Sequence, residues 1–550
     1  MAEFSLPIRA DAMPATASQY FALSLSPEEK SRDGLLRALC LRAAFVALLV
    51  YCFYGAAVVL SSSWHLLGNQ WPNSYPEAPH VYAALRSART HRLYFPFAEQ
   101  PYVLQSYGPL FYESYYWMAR AVHANVDGFV HLARLTAFVS FILCAALIAA
   151  ISRRMGFSML TCAAAATLGI GVPIFINSCV TTRPDMYCLA AMMASLAVAV
   201  WSERPSRWEC IFSGAIGAVA FLEKQPGLAV LLAIGVVWLF HKKFREIVLL
   251  AIGAAAPVAL IFGLLIWHRE NFVEQYFSVG QAVWSLPSGL LTTRIIVRST
   301  TVLVPIAIGA IGFGRAIFSG VRAQVIASFA LVNWLVGLAG MPQAGAAANY
   351  FFGGLLGCGL LLPLAFEFVR QRIKFAPASL LLALALGYLT NSYAAVGVLP
   401  QTNFTPDAYQ VLSQFRILSD RPEFSLRGSD PDLLDPISLH VLELGSGRWS
   451  SAPIEAKVRH LDYDLVILAC ANGSRFICNY RGVSYFAPSV VDAMNENYMV
   501  FCRTEHALVL APRGRSVNLT AEMLTAPLGE QCRATDRGEG PGLVVARGTR

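Results

Sequence analysis

The sequence predicts an α-helical polytopic membrane protein. About eleven transmembrane helices are expected, with interfacial helices in a large first external loop and a small C-terminal α/β soluble domain. Three observations carry this reading. Of 550 residues, 56% are hydrophobic and only 14% are charged, against roughly 25% charged in soluble domains. Mean hydropathy is +0.52. Apolar runs of spanning length recur up to residue 399, and basic residues fall in alternate short loops between them. A surface so poor in charge is stable against lipid, which accepts an apolar exterior.

Residues 1–40 are mixed and polar, and are expected to be a cytoplasmic N-terminal segment rather than a cleaved signal peptide. The transmembrane domain is expected over 41–399. Its apolar runs lie near 43–62, 129–151, 158–178, 184–201, 208–222, 226–240, 246–267, 296–313, 323–341, 350–369 and 377–398. The runs 208–222 and 226–240 are short for a span of roughly 20 residues, and read as tilted or re-entrant. Arg153-Arg154, Arg204 with Arg207, His241-Lys242-Lys243 with Arg245, Arg315 with Arg322, and Arg370, Arg372 and Lys374 mark every second loop. Basic loops face the cytoplasm, so the C-terminal part is expected outside. Arg86, Arg89, Arg92, Arg269, Arg294 and Arg298 lie on the opposite side. Long translocated loops tolerate such charge.

The first external loop, about 63–128, is rich in Trp, Tyr and Pro. Its segment Tyr112–Val122 suits a helix lying in the membrane interface. A second external loop runs from about 268 to 295. Residues 400–530 change character. A strand is expected over 462–470, a helix over 487–498 and a second strand over 506–512. Residues 531–550 are Gly- and Arg-rich, and disorder is expected there. Of the twelve cysteines, eight from Cys40 to Cys358 sit in or beside apolar runs as small hydrophobes. Cys470, Cys478, Cys502 and Cys532 fall in the soluble tail. An external tail allows one or two disulfides, of connectivity the sequence does not give. The net charge of +8 is dispersed between apolar runs, so no nucleic-acid partner is expected.

Four features carry chemistry, and all map to one side of the membrane. Glu77 opens a helix early in the first loop; such a carboxylate serves as a general base or metal ligand, or simply offsets a helix dipole. Arg183, Pro184 and Asp185 stand at the outer mouth of the fourth span. Proline there is an ordinary first-turn residue, or Asp185 joins Glu77 in one site. Lys224, in FLEKQPG, either snorkels to the interface or pairs with an anionic head group such as a lipid phosphate. Asn349 and Tyr350 enter the tenth span after a run of small residues that allows close helix packing, and an unsatisfied polar group there costs several kcal/mol.

The order of these motifs resembles the GT-C superfamily of integral membrane glycosyltransferases. It resembles in particular the bacterial branch of protein O-mannosyltransferase-like, lipid A aminoarabinose transferase-like and rhizobial lipopolysaccharide transferase-like proteins. The matching residues are Glu77, Leu93-Tyr94, Tyr107 to Tyr112, Arg183 to Asp185, Lys224 to Gly227, Gly345 with Asn349 to Phe351, Asp435-Pro436 and Asp462 to Leu468. The resemblance covers most of the chain.

It implies inverting transfer of a sugar from a polyprenyl-phosphate-linked donor to an envelope lipid, glycan or protein, at the outer face of a bacterial inner membrane. By resemblance Glu77 is the base and Asp185 the second acid. Lys224 and Arg183 hold the donor phosphate, and Tyr107, Asn349 and Tyr350 contact substrate. Many relatives carry an acidic pair in the first loop, whereas Pro76 precedes Glu77 here. No metal ligand is therefore assigned, although a divalent cation is compatible with the chemistry, and Glu99 or Glu113 would have to complete such a pair. The competing readings are a transporter or flippase of a lipid-linked substrate, and a non-catalytic lipid-binding relative. No internal repeat of the transporter kind is evident, and the charges sit at the outer ends of spans rather than at mid-membrane.

Overall fold

The computed structural model describes residues 32–68, 77–96, 99–268, 270–278, 283–343, 348–372, 410–468, 479–480, 483–504, 507–515, 523–524 and 533–534. The run at 377–398, Arg269, Gly345, Pro76 and three of the tail cysteines (Cys470, Cys478 and Cys532) lie outside them, as do residues 1–31.

The chain is a multi-pass helical membrane protein. Helix α1 (Arg32–Leu67) is followed in the first loop by α2 (Glu77–Thr90) and α3 (Pro109–Ala121). Then come α4 (Val126–Arg154), α5 (Met159–Ile170), α6 (Phe175–Ser178), α7 (Asp185–Trp201) and α8 (Arg207–Glu223). A 3-10 turn at Gln225–Gly227 leads into α9 (Leu228–Phe240) and α10 (Phe244–Trp267). The second loop holds α11 (Phe272–Ser278) and α12 (Leu286–Arg298). Helices α13 (Thr300–Ile317), α14 (Val321–Gly340) and α15 (Phe352–Arg372) follow.

Among the described residues, five helices are long and apolar enough to cross a membrane, or six if the bent pair α12–α13 is one span. The runs at 184–201, 208–222 and 226–240 form helices of 17, 17 and 13 residues close to the expected bounds, whereas the run at 158–178 breaks after a helix of 12. The reason is local. Helix α5 stops before Gly171 and Pro173, and α8 stops at Lys224, where the chain turns in an extended conformation (φ −157°, ψ 137°) before Pro226. These breaks turn polar segments into the protein.

The basic loops gather at one end of the bundle. Arg154 donates to the Trp201 carbonyl at 2.7 Å, Arg322 to the Arg154 carbonyl at 2.8 Å, and His241 bonds Gln324 at 2.5 Å. Arg315 pairs with Glu367 of α15. The two long loops and the motif residues occupy the other end. Helices α8 and α10 cross closely in the half of the bundle nearer the basic loops. A Cβ on Gly214 would lie 2.1 Å from the Leu250 carbonyl oxygen, and one on Gly253 would lie 2.2 Å from that of Ile211. Only hydrogen fits at both crossings, the usual device for helix contact in lipid.

The first loop is clamped from two sides. Gln105 accepts from the Phe95 amide at 2.9 Å and donates to the Leu93 carbonyl at 2.6 Å. Gln275 of α11 accepts from the Gln105 amide at 2.9 Å and donates to the Phe95 carbonyl at 2.6 Å. Glu270 accepts from the Leu93 and Tyr94 amides. On the other side, the Gly108 amide donates to the Glu223 carbonyl at 3.0 Å. A Cβ on Gly108 would come within 1.8 Å of the Leu222 carbonyl oxygen, so glycine is required for that contact. Gln225 donates to the Ser106 carbonyl at 3.2 Å. Helix α3 buries Phe111, Tyr112 and Tyr115 and leaves Trp117 exposed, the amphipathic pattern expected of its sequence. Its Glu113 accepts from Trp117, and Glu99 pairs with Arg86 and Arg92. Neither acid joins Glu77.

The C-terminal region is a mixed five-stranded sheet in the order β1-β2-β6-β5-β7. Its strands are β1 (Ile417–Ser419), β2 (Leu465–Leu468), β5 (Tyr498–Arg503), β6 (Leu508–Pro512) and β7 (Arg533–Ala534). Strands β1 and β2 run parallel and the other pairs antiparallel. A separate hairpin joins β3 (Asn479–Tyr480) to β4 (Val483–Ser484). Helices α16 (Pro422–Arg427), α17 (Pro436–Ser446), α18 (Ala452–Arg459) and α19 (Pro488–Asn497) pack around the sheet. The expected β2, α19 and β6 form. Residues 533–534, expected in a disordered tail, pair with β5. Cys502 is disulfide-bonded. Tyr102 and Leu104 of the first loop belong to this region's apolar core. Tyr102 exchanges backbone hydrogen bonds with Asp432 and Leu434 at 2.7 and 3.0 Å. The sheet region and the first loop are thus one packed unit.

Candidate active site

The turn 181–185 is the hub on which the motif residues meet. It leads from α6 into α7, whose first residue is Asp185. Pro184 precedes the helix with φ already at −74°, so the turn hands a carboxylate directly to the helix start.

Asp185 is 4% exposed. Its Oδ1 accepts from Lys224 Nζ at 2.7 Å and from Asn349 Nδ2 at 2.7 Å. Arg183 Nε lies 3.2 Å from Oδ2. Arg183 also donates to the Tyr107 hydroxyl at 3.4 Å. Lys224 Nζ sits over the rings of Tyr350 and Tyr107, 5.3 and 5.6 Å from their centres, a placement that favours the ammonium. Residues from the first loop, the turn, the α8–α9 break and the α15 entrance therefore form one cluster. Its fixed charges are two cations around one carboxylate. The sequence placed Lys224 beside the membrane; the break after α8 buries it instead.

Glu77 opens α2 and is 2% exposed. Arg134 of α4 grips it twice, with Nη2–Oε2 at 2.8 Å and Nε–Oε1 at 3.2 Å. The Thr182 amide donates to Glu77 Oε1 at 2.9 Å. Glu77 and Asp185 are thus attached to the same turn, but each carries its own partners. A bidentate pair buried on both sides is geometrically specific and strongly held.

His80 lies one turn along α2 from Glu77, on the same face. It is 4% exposed, and neither ring nitrogen has a hydrogen-bond partner. Its ring stands 4.8 Å from that of Tyr107 and edge-on to Phe111 at 5.6 Å. Burial, reinforced by the charge of Arg183, pushes the imidazole down to about 3, so it is neutral at physiological pH. Asn349 Oδ1 is a second buried acceptor without a partner. Glu223, at the end of α8, is 8% exposed, and its Oε2 also lacks one.

Arg134, Thr182, His80 and Glu223 are not among the site residues expected from the sequence. Arg134 was detectable as a charge inside the apolar run 129–151, since ionisable residues within spans mark partners or sites. His80, three residues after Glu77, was detectable from helical spacing. Thr182 acts through its backbone and left no signal. Among the described residues no group of three or more His, Cys, Asp and Glu side chains converges as a metal site would require, and no divalent-cation site is assigned.

Residues 103–240 match the sequence model of a family described as alpha-(1->6)-mannopyranosyltransferase, N-terminal domain. The matched stretch holds Tyr107, Arg183, Asp185 and Lys224. In fold the chain is similar to ArnT from Cupriavidus metallidurans, both in the apo state and bound to undecaprenyl phosphate. Each match has a TM-score of 0.51 at 13% identity and covers 84% of this chain and 97% of that one. Archaeal oligosaccharyltransferase AglB from Archaeoglobus fulgidus, in complex with an inhibitory peptide and a dolichol-phosphate, matches with a TM-score of 0.46 at 11% identity. That match covers 86% of this chain and 77% of AglB. No curated protein matches the chain. Residues 103–240 thus match a mannosyltransferase family, and the chain as a whole shares the fold of ArnT. Both likenesses agree with the resemblance read from the order of the motifs.

Proposed function

We propose that this protein transfers a sugar, mannose by analogy with the matched family, from a polyprenyl-phosphate donor to an envelope lipid, glycan or protein. The observation that carries the proposal is the charge of the buried cluster. Lys224 and Arg183 converge on one carboxylate, Asp185. Two cations on one anion leave about one unit of positive charge in a water-poor site, the complement of one phosphodiester. Undecaprenyl phosphate bound to the similarly folded ArnT supports the choice of lipid carrier.

In this reading the donor phosphate meets Lys224 and Arg183, which stabilise the charge that develops as the phosphate leaves. Asp185 and Asn349 aim Lys224, and Tyr107 and Tyr350 wall the site. A single displacement inverts the anomeric carbon. The resemblance makes Glu77 the base. Its engagement with Arg134 and Thr182 supports a positioning role instead, in which Glu77 fixes the turn that presents Arg183 and Asp185. The test is deletion of the gene followed by mass analysis of the envelope. Loss of one sugar from an envelope component, with accumulation of its polyprenyl-phosphate form, is expected. An unchanged inventory overturns the proposal.

The eleven-span topology, with the basic loops cytoplasmic and residues 400–530 periplasmic, belongs to the same proposal. The disulfide at Cys502 supports it, because disulfides persist in oxidising compartments. Arg448 is exposed after α17. An Arg448→Cys variant is expected to react with a membrane-impermeant maleimide added outside the inner membrane. Labelling only after the cytoplasm is opened would reverse the orientation.

A further inference from the structure

We infer that His80 accepts the proton of the acceptor hydroxyl during sugar transfer, and does so only when the donor phosphate is in place. The inference rests on the transferase reading and adds the identity of the base.

A base must be unprotonated, unengaged and aimed at the reacting group. Glu77 is engaged in a bidentate pair with Arg134, and Asp185 is surrounded by Lys224, Arg183 and Asn349. His80 differs from both. It is buried to 4% exposure, yet neither ring nitrogen is hydrogen-bonded. Leaving such a group unsatisfied is costly, and a substrate hydroxyl would satisfy it. Tyr107, which receives the Arg183 hydrogen bond, stacks against the imidazole at 4.8 Å. The histidine therefore borders the cluster that would hold the phosphate.

The charged groups facing His80 are Arg183, Asp185 and Lys224. Phe111 and Tyr112 of α3 close the aromatic side. Burial and the two cations hold the imidazole neutral and weakly basic. A donor phosphate on those cations cancels their field at the ring. Its anionic charge then raises the basicity of His80 where transfer requires it. An empty site keeps a poor base, which protects the protein from protonation; an occupied one gains a better base.

The step balances as follows. The acceptor oxygen forms its bond to the anomeric carbon as the carbon–oxygen bond to phosphate breaks. The polyprenyl phosphate leaves with that electron pair as a dianion. The hydroxyl proton moves to the free His80 nitrogen, and from the imidazolium it returns to the phosphate dianion or to water.

The test uses the full-length protein and membranes of the deletion strain, which hold both substrates. Single-turnover consumption of the accumulated polyprenyl-phosphate sugar is followed by mass spectrometry. A His80→Gln variant is expected to lose about 100-fold in rate or more, while its affinity for undecaprenyl phosphate stays within about twofold. His80→Ala is expected to regain part of its rate on addition of imidazole. In nitrogen-15 histidine spectra, undecaprenyl phosphate is expected to raise the His80 titration midpoint by about one pH unit or more.

A His80→Gln rate within threefold of wild type overturns the inference, as does a midpoint that does not move when undecaprenyl phosphate binds. A rate loss matched by lost undecaprenyl phosphate affinity, without imidazole rescue, overturns it in favour of a structural role. Wild-type protein that consumes no donor lipid overturns the transferase reading as well, so the two failures are distinguishable.

Discussion

Lys224→Ala is expected to lower transfer by about 10³-fold, because one preorganised charge aimed at a developing anion contributes about 10² to 10³ in rate and Lys224 also supplies binding to the resting phosphate. The ammonium is 7% exposed and held at 2.7 Å from Asp185, so little of its effect is screened by solvent. The variant should remain folded, since Asp185 keeps Arg183 at 3.2 Å and Asn349 at 2.7 Å. Undecaprenyl phosphate affinity, measured in detergent or nanodiscs, should fall with the rate. Lys224→Arg is expected to rescue poorly. The guanidinium is planar and larger, and the space between the Tyr107 and Tyr350 rings is set for an ammonium. Wild-type affinity and rate in Lys224→Ala would remove the phosphate role and with it the core of the proposed function.

The second large effect concerns Glu77 and Arg134. Their side chains are 3% and 1% exposed, and breaking a buried pair from one side costs about 3–5 kcal/mol, because the remaining charge is stranded. Glu77→Gln and Arg134→Met are each expected to reduce the yield of folded protein and its thermal midpoint. The double variant Glu77→Gln/Arg134→Met removes both charges, and is expected to recover most of that stability. Activity in the recovered protein then decides the role of Glu77. A folded double variant with substantial transfer assigns Glu77 to positioning of the turn through Thr182. A folded double variant with none returns the base role to the carboxylate and counts against His80.

Much of the membrane region was legible because lipid imposes simple rules. Apolar runs marked the helices, and basic loops marked one end. The hydrogen bonds of Arg154, Arg322 and His241 bring those loops together there. The run 158–178 misled on length, whereas the runs 208–222 and 226–240, read as short, do form short helices. Composition does not show that α5 ends at a glycine and a proline, or that α8 unwinds at Lys224. Within the C-terminal region, β2 and β6 were legible as apolar strands. Helix α17 was not, and neither was β1, which pairs with a strand 48 residues later. Docking of Tyr102 into that region's core was likewise invisible, because a single tyrosine in a loop has no periodicity.

By itself the sequence determined a helical membrane protein and singled out Asp185, Lys224, Arg183, Tyr107, Asn349 and Tyr350, which the structure brings together at one end of the bundle. Those features depend on composition and on short motifs, which are local. Only the tertiary structure decided how the charges are shared. Glu77 lies 57 residues from Arg134, Asp185 lies 39 from Lys224, and among the described residues no donor or acceptor reaches the His80 ring. In a low-dielectric interior the role of an ionisable group follows from its few nearest neighbours, and those neighbours are set by packing between segments distant in the chain.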